Sequence, residues 1–124
     1  MTEDELKYRF KQFSLLIIRL VDNMPRTVSG WAIAKQIIRS GTSPAANYRA
    51  ACIGKSKRDF LNKLKMVEEE LDETSHWLEL IMEANLMPNA TVQPIHQECQ
   101  QLFYIIVASI KSTRYYLDNH PEEK

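Results

Sequence analysis

Glu73-Thr74-Ser75-His76 is a Glu-x-x-His pair, the spacing that holds iron or manganese inside helical bundles. Such a centre needs a second pair and two further carboxylates. His96 is preceded at that spacing by Gln93 and His120 by Leu117, so the set is incomplete and no metal is expected. Cys52 and Cys99, with three scattered histidines, lack the close ligand pairs of a zinc site. Both cysteines fall on apolar stripes, where burial raises a thiol pKa and leaves it inert. Ser40-Gly41-Thr42-Ser43 lacks the glycine spacing and Lys-Ser/Thr ending of a phosphate loop, and no dinucleotide fingerprint is present, so no cofactor is expected. The run Glu68, Glu69, Glu70, Asp72 and Glu73 could supply paired carboxylates, and an enzyme would use Glu70 or Glu73 in a polar pocket between helices. A charge run on a helix reads more simply as its solvated face, so no catalytic residue is expected.

Charge matters here through its distribution, because the formal sum is zero. Residues 49–65 hold Arg49, Lys55, Lys57, Arg58, Lys63 and Lys65 against Asp59 alone, whereas residues 66–83 hold seven acids and no lysine or arginine. A basic cluster can meet phosphates and release their counterions, which makes these six cations the candidate nucleic-acid contacts. It can equally meet the acidic stretch of a neighbouring copy and steer head-to-tail association.

The elements that carry these groups follow from one period. With 124 residues, 44% apolar and 26% charged, the chain suits a single domain of 1–124, and three glycines with five prolines leave little turn material. Long elements are required, which disfavours sandwiches, barrels and βαβ units. Leu6, Phe10, Phe13, Ile17, Leu20 and Met24 alternate steps of four and three, the signature of one helix face, over about residues 4–24. Ala34, Ile38, Gly41, Ala45, Tyr48 and Cys52 repeat it over about 28–53, with Ile33 and Ile37 widening the stripe. Ser43-Pro44 permits a restart, with Ser43 as N-cap, but the unbroken stripe favours one helix kinked near 43–44. Phe60, Leu64, Val67, Leu71, Thr74, Leu78, Ile81 and Asn85 carry it over 56–86, behind a capping-box-like Ser56 and Asp59. Ile95, Cys99, Leu102, Ile106, Ser109, Thr113 and Tyr116 carry it over 92–118. Four such stripes joined by short connections predict an all-α, antiparallel up-down-up-down four-helix bundle.

Some apolar groups lie outside these stripes. Leu15 and Ile18 point away from the first stripe, Met66, Trp77 and Leu80 form a second line on the third helix, and Tyr104 and Tyr115 point outward from the fourth. Scattered surface hydrophobes are ordinary, but second lines on three helices make a contiguous patch, the usual mark of a protein contact. Self-association through these seven residues is expected. No run of 18 apolar residues would span a membrane, and the acidic start is unlike a secretion signal, so a cytoplasmic protein with no membrane partner is expected.

The segments Ser43-Pro44-Ala45-Ala46-Asn47-Tyr48-Arg49-Ala50-Ala51, Lys55-Ser56-Lys57-Arg58-Asp59-Phe60-Leu61-Asn62-Lys63-Leu64, Glu68-Glu69-Glu70-Leu71-Asp72-Glu73-Thr74 and Trp77-Leu78-Glu79-Leu80 resemble the bacterial four-helix-bundle proteins first noticed in intervening sequences of 23S ribosomal RNA genes. The likeness spans nearly the whole chain and is densest over residues 40–81. It implies an antiparallel bundle and a ring-shaped homopentamer. A related branch, the accessory protein of diversity-generating retroelements, is a basic pentamer that works with a reverse transcriptase and its RNA. The resemblance brings no catalytic residues. Ala50 stands where many members place a glutamate three residues after the asparagine, and this chain is neutral where the retroelement branch is strongly basic.

The expected function is therefore a non-enzymatic, homo-oligomeric scaffold or accessory protein in contact with RNA or a ribonucleoprotein. The alternatives are a helical module that binds a different protein, or an enzyme built on Glu70 and Glu73.

Overall fold

The computed structural model describes residues 1–123, and its long segments are α1 (Glu3–Asp22), α2 (Val28–Cys52), α3 (Lys57–Glu83) and α4 (Asn89–Asp118), followed by a 3-10 turn at Pro121–Glu123. No strand occurs among the described residues. Side-chain caps define three starts: Thr2 accepts from the Glu5 amide, Thr27 from that of Gly30 and Ser56 from that of Asp59, each at 3.1 Å. α4 begins directly after Pro88, three residues earlier than its stripe predicts, because a proline is tolerated where a helix has no amide to bond. α3 stops three residues sooner than predicted. Asn85 adopts φ 56°, a left-handed conformation that asparagine tolerates and that turns the chain out of the helix.

Each helix packs most heavily on its neighbours in sequence, and α1 closes more thinly on α4. Contacts run in opposite residue order across each seam. Leu71 meets Cys99 and Ser75 meets His96 across α3 and α4. Arg9 meets Glu98 across α1 and α4, whereas Leu20 and Asn23 share a cleft with Met87 and Thr91. The architecture is an antiparallel up-down-up-down four-helix bundle.

The predicted α1 stripe is buried throughout. The α2 stripe keeps Ile37, Gly41 and Tyr48 of the predicted one and is rotated from it elsewhere. Gly30, Ile37, Ser40, Gly41, Pro44, Tyr48 and Ala51 face the core, while Ala34, Ile38, Ala45 and Cys52 are only half-buried toward its edge. Small residues cause the rotation: the face that lets neighbouring helices come closest buries the most, even when it is made of serine, glycine and proline. A Cβ at Gly41 would sit 2.7 Å from Cγ1 of Ile17, so α1 rests directly on the α2 backbone there. Of the two readings of Pro44, the continuous helix holds: Ser43 donates to the Arg39 carbonyl at 2.6 Å from inside α2 and caps nothing. On α3, Leu61 fills the core position predicted for Phe60, which is half-buried instead.

Two buried hydroxyls cross the α2–α3 seam. Thr74 donates to the Glu70 carbonyl at 2.8 Å, and the Ser40 hydroxyl lies 2.9 Å from Thr74 Oγ1, so each polar group has a partner in the core.

Candidate interaction surfaces

The candidate basic residues divide between two faces. Arg58 and Lys65 open onto a hollow between the start of α3 and the end of α4, where Arg114 joins them beside Leu61, Leu117 and Asp118. Lys57 lies 5.2 Å from the centroid of the Tyr116 ring and 5.7 Å from that of Phe60, a cation–π arrangement that ties the α3 start to α4. Lys55 is exposed in the α2–α3 connection, and Lys63 is half-buried on α3. Arg49 lies elsewhere. It lines a cleft of about 520 Å³ between α1 and α2 with Lys7, Tyr8 and Lys11. Sequence spacing does not reveal this cleft, since Arg49 is about forty positions from Lys7 and Lys11 and is joined to them only by the antiparallel pairing.

The seven candidate interface residues also divide. Ile18, Met66, Leu80, Tyr104 and Tyr115 are exposed, Tyr104 at 68% and Tyr115 at 73%. Leu15 is half-buried. Trp77 packs against the core edge, and its indole N–H donates to Glu73 at 3.1 Å. Five further large apolar groups are exposed that the stripes do not flag: Met1, Tyr8, Val28, Trp31 and Ile53. Tyr8 and Trp31 belong to the α1–α2 face, where interleaved lysines hide them from any hydropathy average.

Two carboxylates of α3, Glu70 and Glu73, are held by a cation of a neighbouring helix. Arg39 of α2 binds Glu70 at 3.0 Å and also pairs with Glu73. The Trp77 indole and then Arg39 hold the Glu73 carboxyl below its ordinary value. A group kept ionised in this way is a poor proton donor. The partner of this turn is therefore an arginine of the neighbouring helix and not a lysine of its own. His76 is exposed and rests on the Trp77 ring at 4.9 Å. His96, 21 positions after Ser75, meets that serine at 3.1 Å and Glu79 at 3.3 Å, both through Nε2. A nucleophile relay needs the serine and the carboxylate on opposite ring nitrogens, so this arrangement does not form one. Among the described residues no three histidine, cysteine or acidic side chains come together to hold a metal ion. None of the described helices is long and apolar enough to cross a membrane.

The two thiols differ. Cys99 is buried and donates to the Leu71 carbonyl at 3.3 Å, and burial pushes its pKa up to about 12. Cys52, predicted on a core stripe, is half-buried, and its pKa is raised chiefly by desolvation. Iodoacetamide at mildly alkaline pH is therefore expected to modify Cys52 in the native protein and Cys99 only after denaturation. Mass spectrometry of the labelled peptides reads this directly, and equal labelling of both in the native state would contradict the burial.

Comparison with known proteins adds a family. The model of the 23S rRNA-intervening sequence protein family matches residues 5–108. The crystal structure of a protein of unknown function from the S23 ribosomal protein family of Bacteroides thetaiotaomicron is similar, with TM-score 0.83 and 30% identity over 90% of this chain and 99% of that one. Among curated proteins none matches. On a match that covers most of its length and the same bundle architecture, the chain belongs to the 23S rRNA-intervening sequence protein family.

Proposed function

We propose that the protein is a non-enzymatic, self-associating scaffold of the cytoplasm whose basic α3–α4 end contacts RNA. The observation that carries this reading is the exposure of Tyr8, Trp31, Tyr104 and Tyr115 on a bundle whose interior is already filled by Phe10, Phe13, Ile17, Leu64, Leu71 and Leu102. Aromatic groups outside a complete core are stabilised when a partner removes them from water, at roughly 25 cal/mol per Å² of apolar surface. The resemblance set out from the sequence implies five copies.

Sedimentation at several concentrations tests the assembly. A species heavier than the 14.5 kDa chain is expected, and one that stays at 14.5 kDa into the high micromolar range overturns the reading. For RNA, the hollow formed by Arg58, Lys65 and Arg114 is the favoured contact, with Lys55, Lys57 and Lys63 nearby in sequence and Arg49 on the other face. Affinity for a single-stranded RNA should fall linearly with salt on a logarithmic plot, with a slope near −0.7 per phosphate neutralised. Neutralising the cations of the hollow should flatten it. Binding that ignores both salt and those substitutions removes RNA from the proposal.

A further inference from the structure

We propose that the outer groove between α1 and α2 is the docking site for the acidic α3–α4 face of a second copy of this chain. This rests on the self-association proposed above and assigns it two surfaces. On the outer side of α1 and α2, Tyr8 and Lys11 share a cleft with Arg49, Trp31 and Lys35 share another with Val21 and Asp22, and the exposed Ile18 lies on α1 between them. Tyr8, Lys11 and Ile18 are spaced by three and seven and Trp31, Lys35 and Arg49 by four and fourteen, so each set shares one face of its helix. A hollow opens at either end of the groove: the 520 Å³ cleft beside Tyr8 and one of about 320 Å³ beside Trp31. An apolar centre flanked by hollows is shaped to receive the side chains of another helix pair.

Charge identifies the occupant. Lys11, Lys35 and Arg49 form no ion pair among the described residues, and with Arg26 they outnumber Asp22, the acid that lines the hollow beside Trp31, so the groove carries a surplus of positive charge. The opposite side of the bundle carries the complement. Glu69, Asp72 and Glu83 of α3 are exposed and likewise form no ion pair, and Asp72 lines a notch with Gln100, Phe103 and the exposed Tyr104 of α4. One face therefore offers aromatic groups among cations, and the other offers an aromatic group among anions. Since the helices follow one another around the bundle, the two faces lie on opposite sides of a protomer. A contact between unlike faces is head-to-tail: it has no two-fold axis and continues from copy to copy until it closes as a ring.

Charge exchange in the full-length chain provides the test. Lys11→Glu, Lys35→Glu and Arg49→Glu together place like charges across the contact and should weaken association by on the order of a hundredfold. Glu69→Lys, Asp72→Lys and Glu83→Lys together should do the same from the other side. All six substitutions in one chain restore complementarity, and sedimentation should show wild-type assembly again. Circular dichroism identifies any variant that has lost its helices; Tyr104→Ala, which alters no charge, then carries the test and should also weaken assembly. If both triple variants assemble as the wild type does, or the six-fold variant is folded but stays dissociated, the assigned faces are wrong while self-association stands. A two-fold dimer in the wild type overturns the head-to-tail contact. A wild-type chain that never leaves 14.5 kDa removes the parent reading as well.

Discussion

Phe10→Ala is expected to destabilise the bundle by about 3–5 kcal/mol, the range for emptying a buried aromatic site. Phe10 is fully buried at the centre of the α1 stripe, and its ring meets that of Tyr48 on α2 at 5.3 Å between centroids in a tilted arrangement. Its loss leaves a cavity between two helices that cannot both move inward, because α1 is already in contact with the α2 backbone at Gly41. Against a total stability of roughly 5–15 kcal/mol, this is a large fraction. The denaturant midpoint at fixed protein concentration measures it, concentration being held because assembly adds its own stabilisation. A loss below about 1 kcal/mol would show that the α1–α2 seam collapses freely and is not packed as described.

Gly41→Leu should be nearly as damaging, at about 3 kcal/mol, through the opposite fault of too much volume. An added Cβ would lie 2.7 Å from Cγ1 and 2.9 Å from Cγ2 of Ile17. Ile17 is fully buried and β-branched, and in a helix such a side chain has one strongly preferred χ1 rotamer, so it cannot swing aside. The helices must part. Gly41→Ala separates this effect from intrinsic helix propensity, which alone favours alanine by about 1 kcal/mol. In the wild-type background alanine should destabilise; in an Ile17→Ala background, where the obstructing carbons are gone, the same change should stabilise. Thermal melts of the four chains give the coupling, and additive effects would show that Ile17 is not the obstacle.

The fold was legible wherever bulky apolar residues mark the core. α1 presents Leu6, Phe10, Phe13, Ile17 and Leu20 at steps of four and three, and all five are buried. α2 was legible as a helix with Ile37, Gly41 and Tyr48 on its core face, but that face is rotated from the predicted stripe because Gly30, Ser40 and Pro44, which complete it, have almost no hydropathy to mark them. What selects that face is steric: the smallest side chains go where the neighbouring backbones are nearest, and only the packed structure states where that is. Phe60 and Leu61 show the same limit on a smaller scale. Both are large and apolar at the fraying start of α3, and Lys57 and Tyr116 give Phe60 a reason to remain near the surface.

Surface constellations were less legible, and for a different reason. The acidic run of α3 and the basic run before it are contiguous in sequence, so their opposition could be read directly. The ion pairs that organise them could not. Arg39 reaches Glu70 and Glu73 across 31 and 34 positions, and Arg9 reaches Glu98 across 89. Ser75, Glu79 and His96 assemble only once α4 folds back on α3. Tyr8 stands among charged neighbours and Trp31 falls off the stripe of its own helix, so neither is marked in the sequence; they join one face when α1 and α2 pair.

The thin α1–α4 seam has a consequence for how the molecule is made. α1 leaves the ribosome before α2 and can pair with it as soon as that follows, yet the flank that Arg9 fastens to Glu98 and Gln101 at 2.6–2.7 Å belongs to α4, made after the other three. Until α4 emerges, part of the α1 stripe is left uncovered in a nascent three-helix sheet of uneven width. Closure thus waits for α4, and a chain stalled before residue 98 would carry an open, adhesive flank where the folded bundle carries a bidentate arginine clasp.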